Sequence, residues 1–378
     1  MPILADNHNR FQPKLHGLRG LAALAVVLFH WASTYPVMEQ APEYLRFITG
    51  ASQTIFNFGW IGVLLFFVLS GYLLGGRLLN TSLTSEVCKS FWLRRCLRIF
   101  PAVWLQYAVL LLLAAVGVKG ITAPNGWLDS ILNFFLLINL PPVLPRAINL
   151  VWWTLPIELS FYAVLPLLIL AIRKMGWINF GIVTFIGCVL WRASIMYLYR
   201  EEPSYGPIQP ILDLLPGALF SFTAGMCVAA QPRQLNHRAL YGWLATAIGL
   251  LLAMCGWLSN EAEGYWTGHW MLAVWNPLIS AALSVLVLCS TYPLKWLGFL
   301  ATRPAVWLGE ISFGIYLWHY PILVIINKYL PHWKSSATGG LLAFAVTMLG
   351  SLLLAQLSFW LIEKPAMNSK RKTKRPAC

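Results

Sequence analysis

The sequence predicts an all-α integral membrane protein of about ten transmembrane helices, with one short re-entrant or interfacial segment. Three observations predict it. Of 378 residues, 58% are hydrophobic and only 11% are charged, where a soluble domain carries roughly a quarter charged. One globule of this length has too little interior to hide that much apolar surface, so lipid is the natural solvent. Ten stretches reach the length of about 20 mostly apolar residues that a helical span needs. The basic residues also gather in alternate loops, the pattern that sets membrane orientation.

The first span, 15–34, carries Arg19 and His30, 11 residues apart. At about 100° per residue, three turns return them to one helix face, with a rise of about 16 Å between them. A cation at one end of a stripe and a proton acceptor at the other suit a long, thin ligand with a charged head. The ordinary alternative is an Arg that snorkels and a His that packs or caps. A cleaved signal peptide is not expected, because His30 ends the apolar run and nine further spans follow. The second span, 57–79, contains Ser70, Gly71, Gly75 and Gly76, a composition suited to close helix packing. Nothing nearby in sequence activates Ser70 as a nucleophile.

Before the third span, 99–118, a basic loop holds Arg94, Arg95 and Arg98. Arg95 and Arg98 stand at i, i+3, so on a helix they face one way. Guanidinium forks suit phosphate oxygens, and ordinary positive loop charge explains them equally. The apolar stretch 127–140 is too short to span and runs into Pro141-Pro142. It reads as the re-entrant or interfacial segment. The fourth span, 151–172, carries Glu158 about two turns from its outer end. His30 lies about one turn in from that side, so a carboxylate there is able to orient the imidazole and raise its basicity. The alternative is a packing carboxylate paired with an Arg.

Spans 177–198, 211–230, 239–258 and 270–290 follow. The ninth, 305–328, places Glu310 and Ser312 near its cytoplasmic end and His319 nearer its middle. Three roles fit His319: a second proton carrier, a contact at an acceptor site, or a structural hydrogen bond. The tenth span is 338–361. Ionisable residues inside spans are functional candidates by default, because burying them is costly.

With the N-terminus in the cytoplasm, ten spans put 20 of the 27 basic residues inside, including Arg77, Arg173, Lys174 and the tail Lys370–Lys374. The other seven, Arg192 among them, fall outside. Letting 127–140 span would send Arg173 and Lys174 outside, so the charge bias favours ten spans with both termini cytoplasmic. The organisation is then a cytoplasmic segment 1–14, a membrane domain 15–365 and a basic tail 366–378. The net charge of +14 forms no one-sided footprint, which excludes nucleic acid as a partner. The seven cysteines make no C-x-x-C pair, so neither a disulfide framework nor a metal site is expected. No internal repeat of the kind that builds many transporters is visible.

Six motifs in order carry a resemblance. They are Leu18-Arg19-Gly20 with His30; Gly62-Val63 to Ser70-Gly71-Tyr72; Arg94-Arg95-Cys96-Leu97-Arg98-Ile99 with Pro101; Trp153-Thr154-Leu155 with Glu158, Phe161-Tyr162 and Pro166; Gly309-Glu310-Ile311-Ser312 to Tyr316-Leu317-Trp318-His319-Tyr320-Pro321; and Glu363-Lys364-Pro365. Together they cover residues 15–365, and on them the chain resembles the acyltransferase-3 family of multi-pass membrane O-acyltransferases.

The resemblance implies an enzyme of the bacterial inner membrane with ten spans. It implies acyl-CoA, most often acetyl-CoA, as a cytoplasmic donor substrate rather than a tightly bound cofactor, and a carbohydrate or glycolipid acceptor. Carried over by position, Arg19 and His30 match the family's essential Arg and His, and Arg95 and Arg98 its loop arginine pair. His16 stands where the family usually has Asp. The chain is expected to lack the extracytoplasmic esterase-like domain that some members carry. In the mechanism this implies, Arg95, Arg98 and Arg19 bind coenzyme phosphates, and His30, steered by Glu158, is the general base. An acyl-histidine intermediate is the alternative route. A transporter or flippase for a sugar or anionic substrate is the rival class.

Overall fold

The computed structural model describes residues 11–35, 56–138, 146–232, 235–261, 264–265 and 267–372. The described chain is built of helices: α1 Pro13–Thr34, α2 Ile61–Leu79, α3 Ser85–Ala115, α4 Gly126–Phe134, α5 Thr154–Met175, α6 Trp177–Leu198, α7 Leu215–Ala230, α8 His237–Asn260, α9 Met271–Ser290, α10 Arg303–Glu310, α11 Ser312–Tyr329, α12 Ala337–Ser358 and α13 Lys364–Lys372. Among the described residues, eight helices are long and apolar enough to cross a membrane, and α10 and α11, bent by 70° where they meet, make a ninth if the pair counts as one span. The remaining predicted span, 211–230, is a helix of only 16 residues, α7, preceded by the short turn Gln209–Leu212. An all-α integral membrane protein with eight or nine candidate spans is therefore the observed fold class.

Several boundaries differ from the expectation. The third span begins 14 residues early, at Ser85, because Thr84 caps the helix by accepting from the Val87 amide. Arg94, Arg95 and Arg98 therefore stand on a helix, not in a loop. The stretch 127–140 is helical only as α4, which ends at Phe134; residues 139–140 and Pro141-Pro142 lie outside the described residues. The ninth span breaks at Ile311, so Glu310 ends one helix and Ser312 begins the next. Part of the expected tail is helical, since α13 runs through Lys372.

The chain packs as two units, and α1 contributes its first half to one and its second half to the other. The first unit combines Met1–Ala22, Trp60–Leu83 and Ile157–Gly309. Its centre is the contact of α2 with α7, made through glycines. A Cβ at Gly71 would stand 1.8 Å from the Phe222 carbonyl oxygen, and one at Gly225 would stand 2.0 Å from that of Val68. The two backbones touch, the arrangement that small residues permit between membrane helices. Phe222 stacks on Phe67 at 4.5 Å and on Phe161 at 4.1 Å. Ser221 pairs with Ser280 at 2.7 Å, and Thr223 donates to Thr184 at 2.8 Å. Gly71→Ala is expected to lower stability by about 1–3 kcal/mol through overpacking, read as a lower unfolding temperature in detergent.

Helix ends in this unit are closed by basic side chains. Arg173 at the end of α5 donates to the carbonyls of Leu78, Leu79 and Thr81 at the end of α2. Lys14 donates to those of Tyr292 and Leu294 just past α9. Terminal carbonyls have no partner within their own helix and need such donors. The Arg173 contact also puts the C-terminal ends of α2 and α5 on the same side.

The second unit combines Ala23–Gly59, Thr84–Pro156 and Glu310–Cys378. The second half of α1 packs on α11 and α12 through Trp31, Ala32, Tyr35, Leu323, Ile326 and Ala343, and Trp31 donates to the Gly340 carbonyl at 2.7 Å. Pro321 sits inside α11 and has no amide hydrogen, so the Leu317 carbonyl loses its helical partner. Gln106 and Asn149 replace it, donating to that oxygen at 2.6 and 3.0 Å. The Gln106 carbonyl oxygen in turn accepts from Trp152 at 2.7 Å and Asn149 at 3.2 Å.

Candidate active site

The site is built around the second half of α1. The helix is uninterrupted from Pro13 to Thr34, so the spacing of Arg19 and His30 becomes three helical turns. Both side chains are half-buried. His30 Nδ1 lies 3.1 Å from the Val26 carbonyl oxygen and 3.0 Å from Nε2 of His319. The Tyr320 ring meets His30 edge-on at 5.1 Å.

His319 is fully buried, and its Nδ1 lies 3.1 Å from the Ile315 carbonyl oxygen. One turn earlier, Tyr316 donates to the Val151 carbonyl at 2.5 Å, and its hydroxyl pairs with Thr154 at 2.9 Å. Together with the brace on Leu317, these bonds fix the segment of α11 that carries His319. Two imidazoles 289 residues apart in sequence thus share a hydrogen bond.

Glu158 on α5 is half-buried and accepts from Ser70, at 3.3 Å, and from Tyr162. Arg95 and Arg98 are half-buried on α3, whereas Arg94 is exposed and donates to Ser90. Arg98 is also committed within its unit. Its Nη1 lies 3.5 Å from the Glu363 carboxylate and 3.4 Å from the Met367 sulfur. Glu363 is buried and closes a short π-helical turn, Phe359–Glu363; such turns recur at functional sites. Glu310 is exposed at the break before α11, and Ser312, two residues on, is fully buried.

Sequence reasoning misses a second polar centre, in the first unit. Arg192, counted only as one of the basic residues on the outer side, is buried on α6 and pairs with Asp213 at 2.5 Å. Asn276 and Gln209 also donate to Asp213, and Arg192 donates to the Leu272 and Leu212 carbonyls. Three guanidinium donors face acceptors from neighbouring elements, which offsets the cost of burying the charge. An available signal is a lone acid in predicted span 211–230 and a lone base in 177–198.

The acyltransferase-3 family model, described as an acyltransferase domain, matches residues 12–359. The chain belongs to the acyltransferase-3 family. This family member is 28% identical over 390 residues to a Bacillus subtilis protein provisionally named a peptidoglycan O-acetyltransferase, an alignment covering 95% of this chain and 55% of that protein. It is 28% identical over 393 residues to the peptidoglycan O-acetyltransferase of Listeria monocytogenes, covering 94% and 56%. A Staphylococcus aureus protein provisionally named an O-acetyltransferase is 23% identical over 389 residues, covering 94% and 57%. This acyltransferase-3 chain thus spans a little over half the length of these curated relatives. No solved structure matches it.

Proposed function

We propose that this chain is a membrane O-acyltransferase that moves an acyl group, most simply acetyl, from acyl-CoA to a hydroxyl of a carbohydrate. The observation that carries the reading is a half-buried imidazole, His30, held at 3.0 Å by a second imidazole on a braced helix, in a chain whose family is defined by acyl transfer. The names of the Listeria and Bacillus relatives support acetyl as the group and a cell-wall glycan as the acceptor class.

In this reading His30 removes the proton from the acceptor hydroxyl as its oxygen attacks the thioester carbonyl carbon. The carbon–sulfur bond breaks, and the coenzyme thiolate leaves with that proton. Arg19, Arg95 and Arg98 bind the coenzyme phosphates, with Glu363 holding the Arg98 fork in place. Glu158, hydrogen-bonded to Ser70 and Tyr162, is the candidate catalytic carboxylate, and Glu310 and Ser312 are candidates for an acceptor or second proton site. The donor enters from the cytoplasm of a cell whose inner membrane holds the protein, with both termini cytoplasmic. No tightly bound cofactor or metal takes part.

The test is acyl transfer from labelled acetyl-CoA by the purified protein in liposomes, with a glycan acceptor. Transfer is expected; glycan movement across the bilayer without transfer would defeat the reading. In the same assay, Arg95→Ala with Arg98→Ala is expected to raise KM for acetyl-CoA by about 10- to 100-fold, from two lost charge-assisted contacts. An unchanged KM would remove both from the coenzyme site.

A further inference from the structure

The groups around His30 admit one consistent placement of protons. We infer from it that His319 is a positioning residue that holds His30 with a proton on Nδ1 and a bare Nε2. The inference deepens the acyltransferase reading above and rests on it for its catalytic meaning.

Two backbone oxygens fix where the protons lie. Each histidine presents its Nδ1 to the carbonyl four residues earlier in its own helix, His30 to Val26 and His319 to Ile315, both at 3.1 Å. A carbonyl oxygen only accepts, so His319 Nδ1 carries a hydrogen. A neutral imidazole has one such hydrogen, which leaves His319 Nε2 as an acceptor. That Nε2 lies 3.0 Å from His30 Nδ1. His30 Nδ1 therefore faces two acceptors, the Val26 oxygen and the His319 nitrogen, and its hydrogen is shared between them. The remaining nitrogen of His30, Nε2, is bare. The opposite placement, with the hydrogen on His319 Nε2, keeps one bond and sets two ring lone pairs against two carbonyl oxygens at 3.1 Å.

The bare Nε2 is what a general base requires. It receives the proton of the acceptor hydroxyl as the new carbon–oxygen bond forms, and returns it to the sulfur as the carbon–sulfur bond breaks. Between those events the His30 ring is cationic, and its Nδ1–H bond to His319 becomes charge-assisted and stronger. His319 thus takes the place that a buried carboxylate holds in a serine-protease triad, fixing tautomer and orientation, but without a charge of its own. Its position is enforced by full burial, by the bonds that Gln106 and Asn149 donate to the Leu317 carbonyl, and by the bond that Tyr316 donates to the Val151 carbonyl.

Two measurements test this on the full chain in detergent. With 15N-labelled histidine, resonances of the seven histidines are assigned by loss in His30→Gln and His319→Gln. Both rings are expected to show protonated Nδ1 and bare Nε2 in the parent protein. A His30 ring protonated on Nε2 would overturn the inference without any reference to activity. In the transfer assay, His319→Leu is expected to lower kcat by about 100-fold while KM for acetyl-CoA and for acceptor stays within about twofold. His319→Gln, whose side-chain oxygen accepts from Nδ1–H, is expected to recover at least about tenfold of that loss. Unchanged kcat in His319→Leu, or no recovery by Gln in a folded variant, would overturn the positioning role. Full transfer by His30→Gln would overturn the base assignment beneath it, and the nitrogen shifts tell the two failures apart.

Discussion

His30→Ala is expected to lower acyl transfer by about 10³- to 10⁴-fold, the upper range for loss of a positioned general base. Stability should change little by comparison. The imidazole is only half-buried, and the bonds it leaves behind are to a carbonyl and to His319. Its turn of α1 is held independently by Trp31 on Gly340 and by the apolar cluster around it. The decisive measurement pairs single-turnover transfer from labelled acetyl-CoA with the unfolding temperature of the same preparation. Parental transfer by a folded His30→Ala protein would remove His30 from the chemistry. Covalent label retained on the protein and lost in the variant would favour an acyl-histidine over direct attack.

Asp213→Ala should produce the largest loss of stability, about 3–5 kcal/mol, because it leaves the Arg192 guanidinium buried without a counter-charge. Arg192 is 2% exposed and cannot turn to solvent without displacing its bonds to Leu272 and Leu212. The check is a double-mutant cycle on unfolding in detergent. Arg192→Met combined with Asp213→Leu is expected to be more stable than Asp213→Ala alone, since replacing both charges by apolar groups is often neutral. If Asp213→Ala unfolds as the parent does, the pair is not the clamp its geometry describes.

These two centres differ in how far the sequence reveals them. Arg19 and His30 are visible because both sit on one amphipathic stripe, where local periodicity alone sets their relation. His319 is visible as an ionisable residue in a span. Its partner is not, because 289 residues separate the rings and only the packing of α1 against α11 joins them. Arg192 and Asp213 are hidden for a further reason. Each lies near a predicted span end, where a charge normally reads as loop, and their pairing depends on how α6 meets the turn before α7.

Span positions follow hydropathy and are legible almost throughout. The break at Ile311 is not, since Glu310-Ile311-Ser312 offers neither Gly nor Pro to announce a 70° bend. The early start of α3 turns on a threonine cap, which a hydropathy window does not weigh.

The absent hydrogen on Pro321 has a mechanical consequence. A regular helix satisfies its backbone bonds internally, so it is free to slide or rotate by small steps without breaking any of them. Here one oxygen is borrowed by two amides from other segments, so α11 is keyed in height and in azimuth at a point two residues from an imidazole. Thermal motion of that stretch must disengage both amides together. The ring is therefore held like a part in a jig, with its alignment set before any substrate arrives.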